Sequence, residues 1–256
     1  VGANSADANT TGSDNTAIGD NALGANTTAS YNTAVGADAL LVNTTGAENS
    51  AFGYQAGDAI TTGNANTYLG TYAGSAATTA ANNTGIGRSA LNTNITGTNN
   101  TAVGKDALST TTVGDNTGVG YLALAVTTTG ASNTALGSSA LTANTTGANN
   151  VAIGAFALDA NTTGNYLTAL GHNALGANTT AGNNTSVGWN SLLVNTTGDD
   201  LVAVGYKALA ANTTAAGNVA IGFEALLSNT TGHSNVAIGK AALDANTTAN
   251  YNTAVG

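Results

Sequence analysis

Hydrophobic residues return along the chain at one fixed interval. A triplet such as Ala-Val-Gly or Ala-Ile-Gly recurs from end to end, and its closing glycine marks the period. These boundary glycines are Gly2, Gly19, Gly36, Gly53, Gly70, Gly87, Gly104, Gly120, Gly137, Gly154, Gly171, Gly188, Gly205, Gly222, Gly239 and Gly256. Successive boundary glycines are 17 residues apart, except for one 16-residue interval after Gly104. The sequence is therefore a tandem array of fifteen repeats, in which position 1 follows one boundary glycine and position 17 is the next.

The composition of the repeat predicts strands rather than helices. Gly, Asn and Thr are too frequent for a helix, whereas Asn-Thr-Ala-Val at positions 13–16 and the stretch around Ala-Leu at positions 3 and 4 are strand candidates. Gly, Asn and Asp between them favour turns. We expect each repeat to form one coil of a parallel β-solenoid (a β-roll or β-helix), so that residues 1–256 are a single repetitive all-β segment of about fifteen coils. A polar, low-complexity chain is also typical of disorder, but the strict period argues against it.

Stacked coils would place equivalent residues in columns, and two columns carry large apolar side chains. At position 4 they are Leu23, Leu40, Leu91, Leu108, Leu124, Leu141, Leu158, Leu175, Leu192, Leu209, Leu226 and Leu243. At position 16 they are Ile18, Val35, Phe52, Leu69, Ile86, Val103, Val119, Leu136, Ile153, Leu170, Val187, Val204, Ile221, Ile238 and Val255. Each such side chain contributes about 1.5–3 kcal/mol on burial, so the sequence predicts that both columns form the core.

Alanine precedes both predicted core columns, as Ala34, Ala102 and Ala169 do at position 15. Successive residues of a strand point to opposite faces, so these alanines are expected on a small, flat outer face that another chain can approach closely. The sequence thus favours an intimate homo-oligomer, with a trimer as the preferred form. An alanine-lined corner within one coil is the alternative.

Composition narrows the classes of partner. Only 7% of residues are charged, the net charge is −9, and the four Lys and Arg argue against binding to nucleic acid or anionic lipid. Without Cys the chain has neither disulfides nor a Cys-ligated metal site. No apolar run approaches the roughly 18 residues of a membrane span, so no membrane insertion is expected in this segment.

The segments "NTAIGDNAL", "NVAIGAFAL" and "NVAIGKAAL" resemble the Val-Ala-Ile-Gly-x-x-Ala head repeats of trimeric autotransporter adhesins. The longer phrase "NTALGSSALTANTTGANNVAIG" is similar to repeats of phage tail-fibre and bacterial surface-fibre proteins. The resemblance covers essentially the whole chain, although the adhesin repeat is shorter than 17 residues. It implies a trimeric left-handed β-roll used for attachment to surfaces.

Asparagine at position 7 forms the most frequent motif, Asn-x-Thr, which is the acceptor pattern for N-glycosylation. The candidate acceptors are Asn9, Asn26, Asn43, Asn94, Asn144, Asn161, Asn178, Asn195, Asn212, Asn229 and Asn246. The alternative is a structural ladder, in which stacked amides hydrogen-bond from coil to coil. Where Asn is replaced by Ile60, Ala77 or Thr127, the Thr at position 9 remains, which favours a structural use of the motif. A second asparagine column at position 13, which includes Asn150, is read as another ladder.

Threonine columns also suggest ice binding, since stacked Thr side chains on a flat solenoid face order water. Such a face needs Thr at i and i+2 on one strand. The adjacent residues Thr162 and Thr163 cannot both face outward from one straight strand, so ice binding ranks behind the other functions.

Aromatic residues gather at position 1. Trp189, Tyr206 and Phe223 occupy it in three successive repeats, with His172 in the repeat before. An aromatic row of this kind binds sugar rings or partner chains, and these three residues are the candidate ligand contacts. The alternative, which we prefer, is that exposed turn residues stack on one another.

The sequence lacks a recognisable set of catalytic residues. His172 and His233 occupy different columns in repeats that are not adjacent, and the carboxylates lie mostly in variable columns. No nucleophile triad, phosphate loop or metal-ligand spacing is recognisable. We therefore expect neither catalysis nor a cofactor or metal.

Two functions fit these features. The first is an extracellular filament or fibre shaft that self-associates as a trimer or end to end and is coated with N-glycans. The second is a receptor-binding adhesin or phage tail fibre that contacts glycans or a cell-surface receptor. Either one places the protein outside the cell, on a cell surface or on a virion. Because the chain starts and stops in the same phase of the repeat, without a recognisable cap, we expect a window of a longer fibre.

Overall fold

The computed structural model describes residues 2–256, and this part of the chain is all-β, without a helix. It forms two compact units, of which the first ends at Thr129 and the second begins at Gly130. In the first unit the strands are β1 Thr16–Ile18, β2 Thr33–Val35, β3 Ser50–Phe52, β4 Thr67–Leu69, β5 Thr84–Ile86, β6 Thr101–Val103 and β7 Thr117–Val119. In the second they are β8 Thr134–Leu136, β9 Val151–Ile153, β10 Thr168–Leu170, β11 Thr185–Val187, β12 Val202–Val204, β13 Val219–Ile221, β14 Val236–Ile238 and β15 Thr253–Val255.

Each unit is a parallel β-solenoid with one strand per coil. Every strand pairs in parallel with the strand of the next coil in the same unit, from β1 to β7 and from β8 to β15. The register joins identical repeat positions, as Thr168 with Thr185 and Leu170 with Val187. The predicted fold class and the stacking of equivalent residues are thereby confirmed.

The boundary glycine ends each strand because no other residue fits there. At Gly171 φ is +140°, and a Cβ atom would lie 2.5 Å from the carbonyl oxygen of Gly188 in the next coil. L-residues with a side chain rarely adopt such a φ, and the contact is too short for any carbon. Both the conformation and the close approach of neighbouring coils explain why this position is glycine in every repeat.

The second predicted strand, around Ala-Leu, is not formed. Leu at position 4 has a left-handed backbone in each coil, with φ near +53° at Leu158 and Leu175, and position 2 is left-handed as well. The segment still bonds coil to coil, since the Leu158 N–H donates to the Ala174 carbonyl at 3.1 Å. A left-handed L-residue costs about 1–2 kcal/mol, and burial of the Leu side chain offsets that cost.

The interior is lined by Leu at position 4 and by Ala at positions 3 and 15. Leu158, Leu175 and their internal equivalents are 0% exposed, as predicted. The two sides of the interior face each other closely, because a Cβ at Gly118 (position 15) would lie 3.2 Å from Leu108 Cγ of the same coil. The interior therefore holds one large side chain per coil, opposite one small one.

This narrow interior reverses two predictions. The position-16 column is not core: its side chains point outward, and Ile18, Leu69 and Leu170 are 47%, 48% and 44% exposed. Positions 3 and 15, both expected to carry outer alanines, are inside, and Ala157 and Ala169 are fully buried. Strand alternation does put positions 15 and 16 on opposite faces, but the Leu across the interior leaves room only for the alanine.

Tyr68 is the exception that follows the same rule. It occupies position 15, where other coils have Ala, Gly or Ser, and it is fully buried. The Leu expected at position 4 is replaced by Gly57 in the same coil as Tyr68 and by Gly74 in the next coil. A Cβ at Gly74 would lie 2.4 Å from Tyr68 Cε1. The aromatic ring thus fills the volume that two leucines vacate.

The 16-residue coil absorbs its missing residue at one corner. Thr101 of β6 still pairs with Thr117 of β7, so the strand register is kept. Asn100 Nδ2 donates to the Val113 carbonyl at 2.8 Å, the bond that other coils make to the residue at position 10. The deletion therefore falls in the exposed corner near position 9.

Candidate functional site

Trp189, Tyr206 and Phe223 form a continuous ring stack, called the aromatic stack below. The ring centroids are 5.1 Å apart between Trp189 and Tyr206 and 5.0 Å apart between Tyr206 and Phe223, with interplanar angles of 10° in both pairs. Their exposed fractions are 42%, 38% and 45%. The rings therefore cover one another's faces and leave their edges in solvent. Stacking among themselves, the preferred reading of this row, is what the structure shows.

Lysines flank the aromatic stack. Lys207 Nζ lies 5.3 Å from the Tyr206 ring centroid and 5.7 Å from that of Trp189, and Lys240 Nζ lies 5.8 Å from that of Phe223. These distances are typical of cation–π contacts. Within residues 2–256 the ion pair between Lys105 and Asp106 is the one salt bridge found, so the ammonium groups beside the stack have no carboxylate partner there.

A groove runs beside Lys207. It is shallow and open to solvent, has a volume of about 530 Å³, and is lined by Val194, Lys207, Ala210, Ala211, Leu227 and Ser228. The groove exists because one coil has two alanines at positions 5 and 6, whereas the coils on either side have Leu-Val and Leu-Ser there. Its floor is therefore small and apolar, and its rim carries one ammonium group and one hydroxyl.

The asparagines at position 7 form a buried ladder. Asn161 Nδ2 donates to Asn144 Oδ1 at 2.9 Å and to the Gly164 carbonyl at 3.2 Å, and Asn178 Nδ2 in turn donates to Asn161 Oδ1 at 2.9 Å. Nine of the eleven candidate acceptors are 0% exposed: Asn26, Asn43, Asn94, Asn144, Asn161, Asn178, Asn195, Asn212 and Asn229. The ladder, the alternative that the sequence left open, is present.

A buried ladder leaves no room for a glycan on the folded coil. N-glycosylation replaces one hydrogen of Nδ2 with a sugar, and at Asn161 both hydrogens are bonded inside the coil. Asn9 is exposed and Asn246 is half-buried, so only these two of the proposed acceptors reach solvent. A sugar coat along the whole column is incompatible with the packing of the other nine.

Breaks in the ladder leave single acceptors without partners. Ile60 and Thr111 replace Asn at position 7. In the coil before each, the buried Oδ1 atoms of Asn43 and Asn94 have no hydrogen-bond donor. An unpaired buried acceptor carries a desolvation penalty of about 1–3 kcal/mol, so the ladder contributes to stability only where it is continuous.

The second ladder, at position 13, joins side chains to backbone. Asn150 N donates to Asn133 Oδ1 at 3.0 Å, and Asn150 Nδ2 donates to the Gly164 carbonyl at 2.8 Å. Leu167 replaces Asn in the next coil and is buried, with its backbone N–H donating to Asn150 Oδ1. The expectation of a second ladder is confirmed.

The two threonines of the Asn-Thr-Thr motif have different roles. Thr162 Oγ1 donates to the Thr179 carbonyl of the next coil at 3.0 Å, whereas Thr163 is exposed. The same bond persists where Asn is lost, since Thr61 Oγ1 donates to the Thr78 carbonyl at 3.2 Å. The structural use inferred for threonine thus belongs to position 8, and adjacent threonines do not both face outward.

Burial perturbs three ionisable groups. Removal from water raises the pKa of Asp58, which backbone hydrogen bonds partly offset and the charge of Asp38 reinforces. Removal from water also raises the pKa of Asp159. The pKa of the Tyr68 hydroxyl is raised strongly by burial in the core. The two carboxylates occupy position 5 of one coil in each unit.

Each histidine contacts an aromatic ring, and His233 Nδ1 also lies 3.3 Å from the Ser234 hydroxyl. His172 contacts the edge of Phe156, with ring centroids 5.8 Å apart, and His233 contacts Tyr251 at 5.0 Å. In the described part of the chain no group of three His, Cys, Asp or Glu side chains is placed to hold a metal ion. No helix in those residues is long and apolar enough to cross a membrane.

Comparison with models of known protein families and with curated protein sequences finds no match for this chain.

Sequence reasoning identified the aromatic stack but missed the lysines beside it. All four Lys and Arg of the chain, Arg88, Lys105, Lys207 and Lys240, fall at positions 1 and 2 of their repeats. The repeat alignment already contains this signal. It becomes meaningful only when the coils of each unit place these two positions on one edge of that unit, where seven of the twelve aromatic residues also fall.

Proposed function

We propose that this chain is a non-enzymatic structural repeat protein that forms part of an extracellular filament or fibre shaft. The observation that carries the proposal is the outward face of each sheet. Position 16 presents Val, Ile, Leu or Phe to solvent in coil after coil, and position 14 presents Thr, Ser or Val beside it. Neither position holds a charged residue in any repeat.

A face of this kind favours association with further copies. Soluble monomers rarely expose contiguous apolar patches larger than a few hundred Å². The occupant that fits is the same face of a second copy, because it has the same spacing, the same apolar rows and no charge to repel it. Self-association, as a trimer or a higher assembly, is therefore assigned to positions 14 and 16 and not to the alanines, which are inside.

The experiment is to measure assembly and to block it on this face. Leu170→Lys combined with Ile221→Lys places two charges on the outward row, and Thr163→Lys combined with Thr214→Lys places two charges on an exposed corner of the same two coils. Sedimentation velocity and electron microscopy of the unmodified chain are expected to show oligomers or filaments. The first double variant is expected to stay monomeric with an unchanged circular dichroism spectrum, and the second to assemble normally. A monomeric unmodified chain at high micromolar concentration contradicts the proposal.

Ice binding remains the weaker alternative on the same face. Every strand of the first unit begins with an outward Thr or Ser, two residues before an outward apolar residue. The apolar row mixes Val, Ile, Leu and Phe, whose different lengths roughen the face that would meet an ice plane. We expect no thermal hysteresis from the purified chain, and a clear hysteresis gap would favour ice binding over a fibre.

A further inference from the structure

Positions 1 and 2 form an edge of the solenoid whose chemistry differs from that of the rest of the chain. The net charge of the chain is −9, and its four Lys and Arg all lie at these two positions, Arg88 and Lys105 in the first unit and Lys207 and Lys240 in the second. In the second unit the edge contains the aromatic stack, Lys207 and Lys240, and the groove floored by Ala210 and Ala211 adjoins it. The same two positions also carry four carboxylates, which are Asp20, Asp38 and Asp106 in the first unit and Glu224 in the second. Glu224 has no ion-pair partner among the described residues.

The aromatic stack presents electropositive groups to solvent. An aromatic ring is negative on its face and positive at its edge. Both faces of Tyr206 and one face each of Trp189 and Phe223 are covered by a neighbouring ring, so solvent along the stack meets mainly ring edges together with the two neighbouring ammonium groups. Such a strip attracts anionic oxygen atoms. It is a poor site for single-stranded nucleic acid, whose bases bind by stacking on free aromatic faces.

The groove and the spacing of the lysines further restrict the class of ligand that the edge can bind. Lys207 and Lys240 lie two coils apart, which is about 10 Å at the usual strand spacing of roughly 4.8 Å. That separation is comparable to the length of a disaccharide. The shallow groove of about 530 Å³, with its alanine floor, suits the apolar faces of sugar rings, and its volume falls within the usual range of ligand sites, roughly 300–1,000 Å³.

We propose that the edge formed by Trp189, Tyr206, Lys207, Phe223 and Lys240, with the adjoining groove, binds a linear acidic polysaccharide that carries one anionic group per disaccharide. The sugar rings lie over Ala210 and Ala211, and successive acidic groups meet Lys207 and Lys240. The site is independent of the proposed self-association, because positions 1 and 2 lie outside the outward face of the sheet.

The single tryptophan of the chain makes the site directly measurable, since all Trp emission comes from Trp189. The probe is a linear polymer of alternating uronic acid and N-acetylhexosamine, titrated at low salt while that emission is followed. Calorimetry on the same samples provides a second measure of affinity. Saturable binding that weakens with added NaCl is expected. The same polymer with its carboxylates converted to methyl esters is expected to bind at least about 10-fold more weakly.

Two pairs of variants test the residues. Lys207→Gln with Lys240→Gln removes both charges and is expected to raise the Kd about 10-fold or more. Tyr206→Ser interrupts the stack and is expected to weaken binding, whereas Tyr166→Ser, at a different corner of the same unit, is expected to leave the Kd unchanged. Unchanged circular dichroism spectra establish that each variant is folded.

Several results overturn the proposal. They are an absence of binding to the acidic polymer, equal binding of the esterified polymer, a lysine double variant with unchanged Kd, or a single-stranded oligonucleotide that binds as tightly as the polysaccharide. None of these results bears on self-association, which is measured without a ligand.

Discussion

The ring of Tyr68 occupies the space that a side chain on Gly74 would need, since a Cβ there would lie 2.4 Å from the ring. In most other coils the interior pairs a Leu at position 4 with a small residue, usually Ala, at position 15. Here a large residue at position 15 meets glycine at position 4. The volume of the interior is conserved while the residue that supplies it changes sides, as expected of a close-packed core.

This pair predicts strong coupling between the two positions. Tyr68→Ala is expected to lower the free energy of unfolding by about 3–5 kcal/mol, because it leaves a cavity of aromatic size. Gly74→Leu alone is also expected to destabilise, through its clash with the ring. The double variant recreates the usual Leu and Ala and is expected to recover part of the loss in urea unfolding. The exposed Tyr31→Ala serves as control, and simple additivity of the two changes contradicts the packing described.

Two leucines five residues apart test the finding that position 4 faces the interior and position 16 faces solvent. Leu175 is fully buried, whereas Leu170 is 44% exposed. Leu175→Ala is expected to lower the free energy of unfolding by about 2–5 kcal/mol, as for other buried leucines. Leu170→Ala is expected to lower it by less than about 1 kcal/mol, because little buried volume is removed. Comparable losses for the two variants, measured by urea unfolding under conditions that keep the chain monomeric, would place position 16 in the core after all.

The buried ladder predicts a large effect for a small polar change. Asn161→Ala removes donors to Asn144 Oδ1 and the Gly164 carbonyl, together with the acceptor for Asn178 Nδ2. Each buried group left unpaired costs about 1–3 kcal/mol, so we expect a loss of at least about 2 kcal/mol. Thr163→Ala, an exposed change in the same coil, is expected to stay within about 0.5 kcal/mol of the unmodified chain. Equal thermal unfolding of the two variants would argue against the ladder.

Repairing a break in the ladder is expected to stabilise the protein. Thr111→Asn supplies a donor to the unpaired Asn94 Oδ1, and we expect a gain of about 1 kcal/mol. Thr111→Val has a similar size to the native residue but no donor, so it is expected to give no gain. Chemical unfolding midpoints of the two variants distinguish a hydrogen-bond effect from a packing effect, and a gain with Val would show that packing dominates.

Half-buried Asp159 predicts a pH-dependent penalty. Burial raises its folded-state pKa above the ordinary value of 3.8, so folding favours the protonated form. The penalty is therefore absent below about pH 3.8, grows as pH rises from there towards the folded-state pKa, and is complete above it. Asp159→Asn is expected to raise the thermal unfolding temperature at pH 7 and to change it little at pH 3. Asp200→Asn, which removes the same charge from an exposed turn, controls for net charge. A gain at pH 3 as large as that at pH 7 would exclude this linkage.

Much of the fold could be predicted because the period determines it. Once 17-residue coils stack, identical positions must lie above one another, and both asparagine ladders follow from the amide groups that this brings together. The side of the strand that faces inward could not be predicted in the same way. Thr-Ala-Val alternates equally well in either orientation, and the choice depends on the width of the interior, which Leu at position 4 sets from the other side.

The backbone conformation of Leu at position 4 could not be predicted from the sequence either. Leucine has no preference for a left-handed backbone, and only stacking of the coils with burial of the side chain makes it favourable at Leu158. Only part of the candidate site could be predicted from the sequence. The aromatic row was recognised from its spacing, whereas Lys207 and Lys240 gained meaning only from their distances to the rings.

The 16-residue coil shows where this architecture accepts changes of length. One residue is missing beside Thr112 and Val113, yet β6 and β7 remain in register. That corner therefore tolerates a change in length without shifting the hydrogen-bonded rows on either side of it. A short foreign peptide spliced in at the equivalent corner of any interior coil would protrude as a solvent-facing loop, and a series of such grafts would display cargo at intervals fixed by the coil spacing.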